Sequence, residues 1–221
     1  MGLIVKEPEG SSIPPIEEGT YAAVCKSIID LGDQWSEKYK KASPKVLFIW
    51  AIPEETIEIN GETVPRTVSG TYSASLAEKS NLRKLLEGWR GRKFSPDELK
   101  GFDLRNVLNA PCLITIVHKP SADGTKTYTE VSAVTRLLKG MPAPVCDMPT
   151  TLYSIEDDFT FEGMANLPEW VQNRIKASEQ YKAFESGADP SAETADFGTF
   201  DDVFPDDNGV TSCGGASPWN A

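Results

Sequence analysis

The alternation of apolar and polar positions predicts five β-strands and one helix between Thr20 and Gly140. Residues 21–31 are rich in β-branched and aromatic side chains without helical spacing and end in a Gly-Asp turn, which predicts the first strand. Residues 45–52 form a continuous apolar run between polar and proline residues, the pattern of a strand covered on both faces. The polar and basic stretch between these strands, 34–44, is predicted to be a loop or a ribbon.

Turn chemistry predicts two hairpins. Asn60-Gly61 lies between the β-rich segments 56–59 and 64–72, and this dipeptide favours a two-residue hairpin turn because both turn positions need a positive φ. A second pair of β-rich segments, 112–119 and 128–137, flanks an Asp-Gly turn and predicts another hairpin. Segments 64–72, 112–119 and 128–137 supply the third, fourth and fifth strands.

The predicted helix lies between the third and fourth strands. Ser80 is placed to cap it and Gly91 to end it. Its apolar positions fall at i, i+3, i+4 and i+7 and are Leu82, Leu85, Leu86 and Trp89. The next segment, 95–98, has proline at the first helical position and Glu at the third, which predicts a capping box and a single turn ending at Gly101.

This order of elements predicts a mainly β fold. Several short antiparallel strands must close or pack in order to protect their edges. Five strands with a helix between strands 3 and 4 have the order of an OB-fold barrel, so a five-stranded OB-fold-like barrel is expected. A doubly wound sheet would instead need helices alternating with strands.

The chain changes in composition beyond Gly140. A C-terminal helix is predicted from Asn166 onwards, with apolar positions at Trp170, Val171, Ile175 and Tyr181. Docking of this helix on the barrel is favoured over presentation of Trp170 to a partner, because an isolated helix of this length is marginal in water. The predicted organisation is a polar leader (1–18), an OB-fold-like binding domain (19–145), a linker with an amphipathic helix (146–185) and a disordered acidic tail (186–221).

Charge is distributed unevenly along the 221 residues, whose net charge is −11. Residues 19–145 hold 18 Lys and Arg against 14 Asp and Glu, residues 146–221 hold 3 against 15, and residues 1–18 hold 1 against 4. A mildly basic middle is therefore masked by an acidic C-terminal third, which indicates an interaction tail rather than a uniformly acidic domain.

Catalytic and metal-binding motifs are missing from the sequence. It contains one histidine, His118, and four cysteines at least 34 residues apart, and it lacks phosphate-binding loops and HExxH. We therefore predict no enzyme activity, no metal and no cofactor. No apolar run is long enough to span a bilayer or to form a signal-peptide core, so we expect a cytoplasmic protein without membrane partners.

Aromatic and basic residues are interleaved just before the second strand, as in proteins that bind single-stranded nucleic acid. Basic side chains follow the phosphates there, and aromatic rings stack on the bases. In OB-folds the strand 2–3 face and the adjoining loops are the usual ligand surface. The candidate nucleic-acid-binding residues are Trp35, Lys38, Tyr39, Lys40, Lys41, Trp50, Arg66, Tyr72, Arg90, Arg92 and Lys93.

Several of these side chains have a structural alternative. Phe48 and Trp50 share one face of an apolar strand, at least one face of which must be core. Trp89 completes the apolar stripe of the helix and is assigned to the core. The lysines of 38–41 are alternatively the solvated face of a loop.

Five short motifs carry a resemblance to a known family. They are Gly19-Thr20-Tyr21, Val46 to Trp50, Lys79-Ser80-Asn81-Leu82 through Trp89-Arg90-Gly91, Ala110-Pro111-Cys112-Leu113, and Leu167-Pro168-Glu169-Trp170. Over about residues 19–182, this ordering resembles small bacteriophage proteins of replication and recombination regions that are OB-fold single-stranded DNA-binding proteins. The resemblance implies the fold more directly than the activity, because its motifs are structural.

The tail is similar in kind to the acidic tails of bacterial single-strand-binding proteins. The acidic-aromatic residues that carry this likeness are Asp201, Asp202, Phe204, Asp206 and Asp207. They differ from that pattern because fourteen residues follow Asp207. The likeness implies that the tail recruits replication or recombination proteins.

The leading hypothesis is therefore a non-catalytic, phage-encoded single-stranded DNA-binding protein acting in the host cytoplasm. The alternative is a protein-interaction module for virion assembly, or a DNA-mimic inhibitor, on an OB-like scaffold, which the net negative charge favours. The sequence does not distinguish DNA from RNA as the ligand, and it is compatible with a homo-oligomer.

Overall fold

The computed structural model describes residues 14–59, 61–121, 127–155 and 161–186. The predicted acidic-aromatic tail motif, Asn60 of the first predicted turn and the Asp-Gly of the second lie outside these ranges. The strands are β1 (Gly19–Ser36), β2 (Lys41–Ile59), β3 (Glu62–Ser73), β4 (Pro111–Pro120), β5 (Thr127–Thr135) and β6 (Thr151–Tyr153). The helices are α1 (Asn81–Arg90), α2 (Phe161–Ala165), α3 (Glu169–Lys176) and α4 (Glu179–Glu185), with short 3-10 turns at Glu98–Lys100 and Leu104–Val107.

Five antiparallel strands form one curled sheet, a half-barrel, in the order β3-β2-β1-β4-β5. The outer strands β3 and β5 approach each other, and α1 packs against both of them across the open side. The short strand β6 runs parallel to β1 and pairs with it. The prediction of a mainly β fold with five antiparallel strands and a helix between strands 3 and 4 is confirmed.

Strands β1 and β2 are much longer than their apolar runs. The polar stretch 34–44 is a ribbon, in which Gln34 to Ser36 of β1 pair with Lys41 to Ser43 of β2. Backbone pairing continues where both faces are polar, because the ladder needs only backbone N–H and C=O groups. Apolar runs therefore locate the buried part of each strand and not its ends.

The inner face of the half-barrel packs on α1. Leu86 and Trp89 of α1 meet Phe48 and Trp50 of β2 in one buried cluster, and the Trp89 indole Nε1 donates to Pro111 O at 3.0 Å. The helix ends as predicted at Gly91, whose φ of 67° is left-handed.

Ser80 precedes α1 as predicted, but its side chain does not cap the helix. Its Oγ donates to the carbonyl of Ser75 at 2.7 Å and makes no hydrogen bond to a backbone N–H of α1. Ser80 therefore stabilises the connection between β3 and α1, and its side chain accepts no hydrogen bond from the free backbone N–H groups of the first helical turn.

The outer face of β1 and β2 is covered by the C-terminal helices. Leu47 and Ile49 of β2 pack in a second buried cluster with Val171 and Ile175 of α3. The predicted single helix is divided into α3 and α4 at Ser178, whose Oγ accepts a hydrogen bond from the N–H of Tyr181 at 3.2 Å and so caps α4. None of the helices in the described ranges is long and apolar enough to cross a membrane.

Lys26 joins the linker to the sheet. Its side chain is buried at a β-bulge of β1, where Nζ donates to Asn109 Oδ1 at 2.8 Å and to the carbonyl of Cys146 at 3.2 Å. Because a buried ammonium must be hydrogen-bonded, the bond to the Cys146 carbonyl ties the chain between β5 and β6 to β1. The C-terminal helices are thereby brought back to the outer face of β1.

Replacing Gly88 by alanine tests the close packing of α1 on β5. A Cβ at this position would lie 2.7 Å from the carbonyl oxygen of Val134. Alanine improves helix propensity by about 1 kcal/mol, whereas overpacking of this kind costs about 1–3 kcal/mol. We expect Gly88→Ala to lower the free energy of unfolding in denaturant titrations.

The matched control is Gly101→Ala, because no atom of the described residues lies within 4 Å of a Cβ built there. This variant should leave the free energy of unfolding unchanged or raise it slightly. A Gly88→Ala protein more stable than the control would contradict the packing.

Candidate nucleic-acid interface

The first two strands end in a projecting hairpin that we name the basic ribbon, residues 33–44. Trp35 lies opposite Ala42, Ser36 lies opposite Lys41, and the turn includes Lys40 with a φ of 50°. No pair of β2 with β3 is formed before Lys45, so the ribbon is two-stranded. Its tip brings together five residues predicted from the sequence: Trp35, Lys38, Tyr39, Lys40 and Lys41.

Local contacts order the tip. Trp35, half of whose surface is exposed, donates from its indole Nε1 to Glu37 Oε1 at 3.0 Å. Lys40 Nζ lies 2.5 Å from the other oxygen of this carboxylate, and Lys38 Nζ lies 5.2 Å from the centre of the Tyr39 ring. Exposed ion pairs contribute little to stability. The tip therefore presents three lysines against one glutamate beside an accessible indole.

The stem of the basic ribbon is held by α3 and α4. Gln34 Nε2 donates to the carbonyls of Leu31 at 2.7 Å and of Arg174 at 2.9 Å. Asp33 and Gln180 exchange two hydrogen bonds, one from the backbone N–H of Asp33 at 2.8 Å and one from the Gln180 amide at 2.9 Å. Such contacts hold the ribbon in one orientation, which lowers the entropy lost when a ligand binds.

Trp50 and Tyr72 do not belong to this surface. Trp50 is fully buried, with its ring 5.5 Å from that of Phe48 and 6.2 Å from that of Trp89. Tyr72 packs edge-on against Phe48 at 5.9 Å, and burial raises its pKa above the ordinary value. Both side chains face the inner core, because alternate residues of a strand share one face. A base cannot stack on the fully buried Trp50 ring, so the expectation that Trp50 binds nucleic acid is corrected. Tyr72 is half-buried and packs against the inner core.

The opposite face of β2 and β3 is also largely occupied. Leu47 and Ile49 are buried beneath α3, and Arg174 Nη1 donates to Thr71 Oγ1 of β3 at 2.9 Å. We expected this face of strands 2 and 3 to receive a ligand. At Leu47, Ile49 and Thr71 it is instead covered by α3. At the edge of this face, Trp35 and lysines 38, 40 and 41 of the basic ribbon remain exposed, and Tyr39 is half-buried.

Arg66 fastens the segment before β1. Its Nη2 donates to the carbonyl of Pro14, Tyr21 OH donates to Glu17 O at 2.9 Å, and the His118 ring bonds the carbonyl of Ile16 at 2.7 Å. Ile16 is buried in the inner core. Arg66 and His118 therefore have structural contacts, and the sequence offered no periodic signal for this packing.

Arg90 and Arg92 meet at Glu98, after α1. The Arg90 guanidinium pairs with Glu98 and lies 4.5 Å and 4.9 Å from the ring centres of Phe94 and Phe102. Arg92 Nη2 lies 2.7 Å from the same carboxylate. The cluster therefore orders the loop before β4, and Lys93 next to it is exposed.

Glu98 also forms the capping box predicted from the sequence. Its Oε2 accepts from the backbone N–H of Ser95 at 2.9 Å, and its own N–H donates to Ser95 Oγ at 3.3 Å. The hydrogen bond from Ser95, followed by the bonds from Arg92 and Arg90, lowers the pKa of Glu98 to about 2.

The two buried cysteines are chemically inert. Cys25 and Cys112 lie in the inner core, where burial raises the pKa of the Cys25 thiol to about 12 and also raises that of the Cys112 thiol. A protonated thiol is neither a nucleophile nor a metal ligand. Within the described ranges, no three side chains of His, Cys, Asp or Glu are grouped to hold a metal ion.

Glu98→Gln tests the contacts of Glu98 with Ser95, Arg90 and Arg92 through the pH dependence of the free energy of unfolding. A carboxyl whose folded pKa lies below its unfolded value stabilises the protein above the unfolded pKa, and the stabilisation is lost as the pH falls through the folded pKa. We expect the variant to unfold at lower denaturant concentration than the parent at pH 7. The difference should shrink below about pH 4 and disappear only below about pH 2, where the folded protein also protonates Glu98. Glu78→Gln, at an exposed position, is the control, and a difference independent of pH would contradict the lowered pKa.

Comparisons with known proteins give two negative results. A scan against protein-family models finds no match for this chain. A search of curated proteins likewise finds no match.

Proposed function

We propose that this chain is a non-catalytic single-stranded DNA-binding protein of phage replication or recombination, built on an OB-type barrel. The order of the five antiparallel strands and the position of α1 between β3 and β4 support a partly open barrel of this type. The observation that carries the proposal is the basic ribbon, which holds an accessible tryptophan among lysines on a braced hairpin.

Binding would combine stacking with phosphate contacts. A base stacked on an aromatic side chain contributes about 1–3 kcal/mol with little sequence preference. The tip of the ribbon, residues 35–41, carries three lysines and one glutamate, so charge alone supplies modest attraction. Stacking on Trp35 and Tyr39 would then be the main source of affinity, with lysines 38, 40 and 41 following the phosphates.

The acidic tail has a separate proposed role. Its sequence from Ser186 to Ala221 contains seven acidic residues and no lysine or arginine, which disfavours contact with a phosphate backbone. We assign it to recruitment of replication or recombination proteins through Asp201, Asp202, Phe204, Asp206 and Asp207.

The first test of this function is Trp35→Ala. Fluorescent oligo-dT titrated with the protein at low salt should bind roughly 5- to 150-fold more weakly, the equivalent of one lost stack of about 1–3 kcal/mol. Trp35→Phe should retain most of the affinity because it keeps a ring. Leu138→Ala removes another exposed apolar side chain and serves as the control. If the parent and Trp35→Ala proteins bound oligo-dT with equal affinity, the proposal that bases stack on Trp35 would be contradicted.

A second test measures the electrostatic contribution. Paired substitution of Lys40→Gln and Lys41→Gln should lower the slope of log affinity against log salt by about 0.7 for each phosphate contact removed. The control pair, Lys79→Gln and Lys84→Gln, changes exposed lysines outside the ribbon. Absence of oligonucleotide binding by the parent at low salt would instead favour the protein-interaction module.

A further inference from the structure

Strand β2 ends in a ribbon at both of its ends. Beyond Ala51 it has lost its pairing with β1, and Thr56 to Ile59 pair only with β3. We name the paired segments 53–59 and 61–65 the acidic ribbon. Nineteen residues of β2 separate the two tips, a path of up to about 60 Å at about 3.3 Å per residue. The two ribbons therefore project from opposite ends of one strand.

The acidic ribbon carries four glutamates and no basic residue: Glu54, Glu55, Glu58 and Glu62. Three of these, Glu54, Glu58 and Glu62, are exposed. In the part of the chain that the structure describes, none of the four takes part in an ion pair. Four like charges close together repel one another, and a basic surface brought against them would relieve that repulsion.

An apolar strip accompanies the charges on each ribbon. Ile57 and Val64 are opposite one another on the acidic ribbon and are half-buried, as is Ile59. Trp35 lies opposite Ala42 on the basic ribbon and is half-exposed. Each ribbon also has a strand edge without a partner strand among the described residues, a feature that favours pairing with another chain.

We infer that copies of this chain associate head to tail, with the acidic ribbon of one copy against the basic ribbon of the next. Charge complementarity identifies a second copy as the partner, because a single chain carries both halves of the contact at separate ends. Two ribbons form a small contact, so the association is weak, concentration-dependent and sensitive to salt. Because the contact joins different surfaces, it leads to rings or open chains of copies.

Charge reversal of the full-length protein tests this association by sedimentation velocity. At about 50 mM salt the average mass of the parent should rise with protein concentration, and at about 500 mM salt it should fall to that of the monomer. Reversing the acidic ribbon (Glu58→Lys with Glu62→Lys) should weaken association at least about tenfold. Reversing the basic ribbon (Lys40→Glu with Lys41→Glu) should weaken it to a similar extent.

Mixing the two reversed proteins gives the decisive result. The first protein then has two positive charges at the tip of its former acidic ribbon, and the second has an acidic tip on its former basic ribbon. An equimolar mixture should therefore associate although each protein alone does not. Misfolding cannot produce this recovery. The control proteins carry Lys79→Glu with Lys84→Glu, or Glu78→Lys with Asp147→Lys, at exposed positions outside both ribbons, and should associate like the parent.

Failure of this contact is distinguishable from failure of the proposed function. The protein with a reversed acidic ribbon keeps the basic ribbon intact and should still bind oligo-dT, whereas the protein with a reversed basic ribbon should lose both properties. A parent that stays monomeric at low salt, reversed proteins that associate like the parent, or a mixture that does not associate would each overturn the head-to-tail contact. A parent protein that stays monomeric but binds oligo-dT normally would overturn the head-to-tail contact and leave the proposed DNA binding standing.

Discussion

The packing of Trp50 between Phe48 and Trp89 is the contact on which the rest of the structure depends. It determines which face of β2 lies inside the curled sheet and joins that face to α1. Burying aromatic side chains of this size stabilises a fold by several kcal/mol, and replacing one by alanine typically costs about 3–5 kcal/mol. Once this face is inside, Leu47 and Ile49 must face outwards, where α3 covers them.

Covering both faces of β2 leaves its ends as the accessible parts. The exposed residues of β2 therefore lie on the two hairpins. The basic ribbon joins an aromatic side chain to cations, whereas the acidic ribbon joins aliphatic side chains to carboxylates. The net charge of −11 hides this separation, because much of the negative charge belongs to the C-terminal third of the chain.

Local sequence patterns correctly predicted the elements whose residues are close together in the chain. The stripe from Leu82 to Trp89 and the glycine that follows it located α1, and reciprocal capping located the turn at Glu98. The strand containing Trp50 is apolar on both faces, so its pattern could not tell which face lies inside. The bracing of Asp33 by Gln180 joins residues 147 positions apart, and no local pattern contains such a contact. The tip of the basic ribbon was found from composition, whereas its exposure required the structure.

Cross-linking tests the central claim, that single-stranded DNA lies on the basic ribbon, most directly. Ultraviolet irradiation of the full-length protein with oligo-dT, followed by peptide mass spectrometry, reports which side chains touch bases. We predict cross-links at Trp35 and Tyr39 that become weaker at high salt. Cross-links confined to the loop after α1, or to the outer helices, would contradict it.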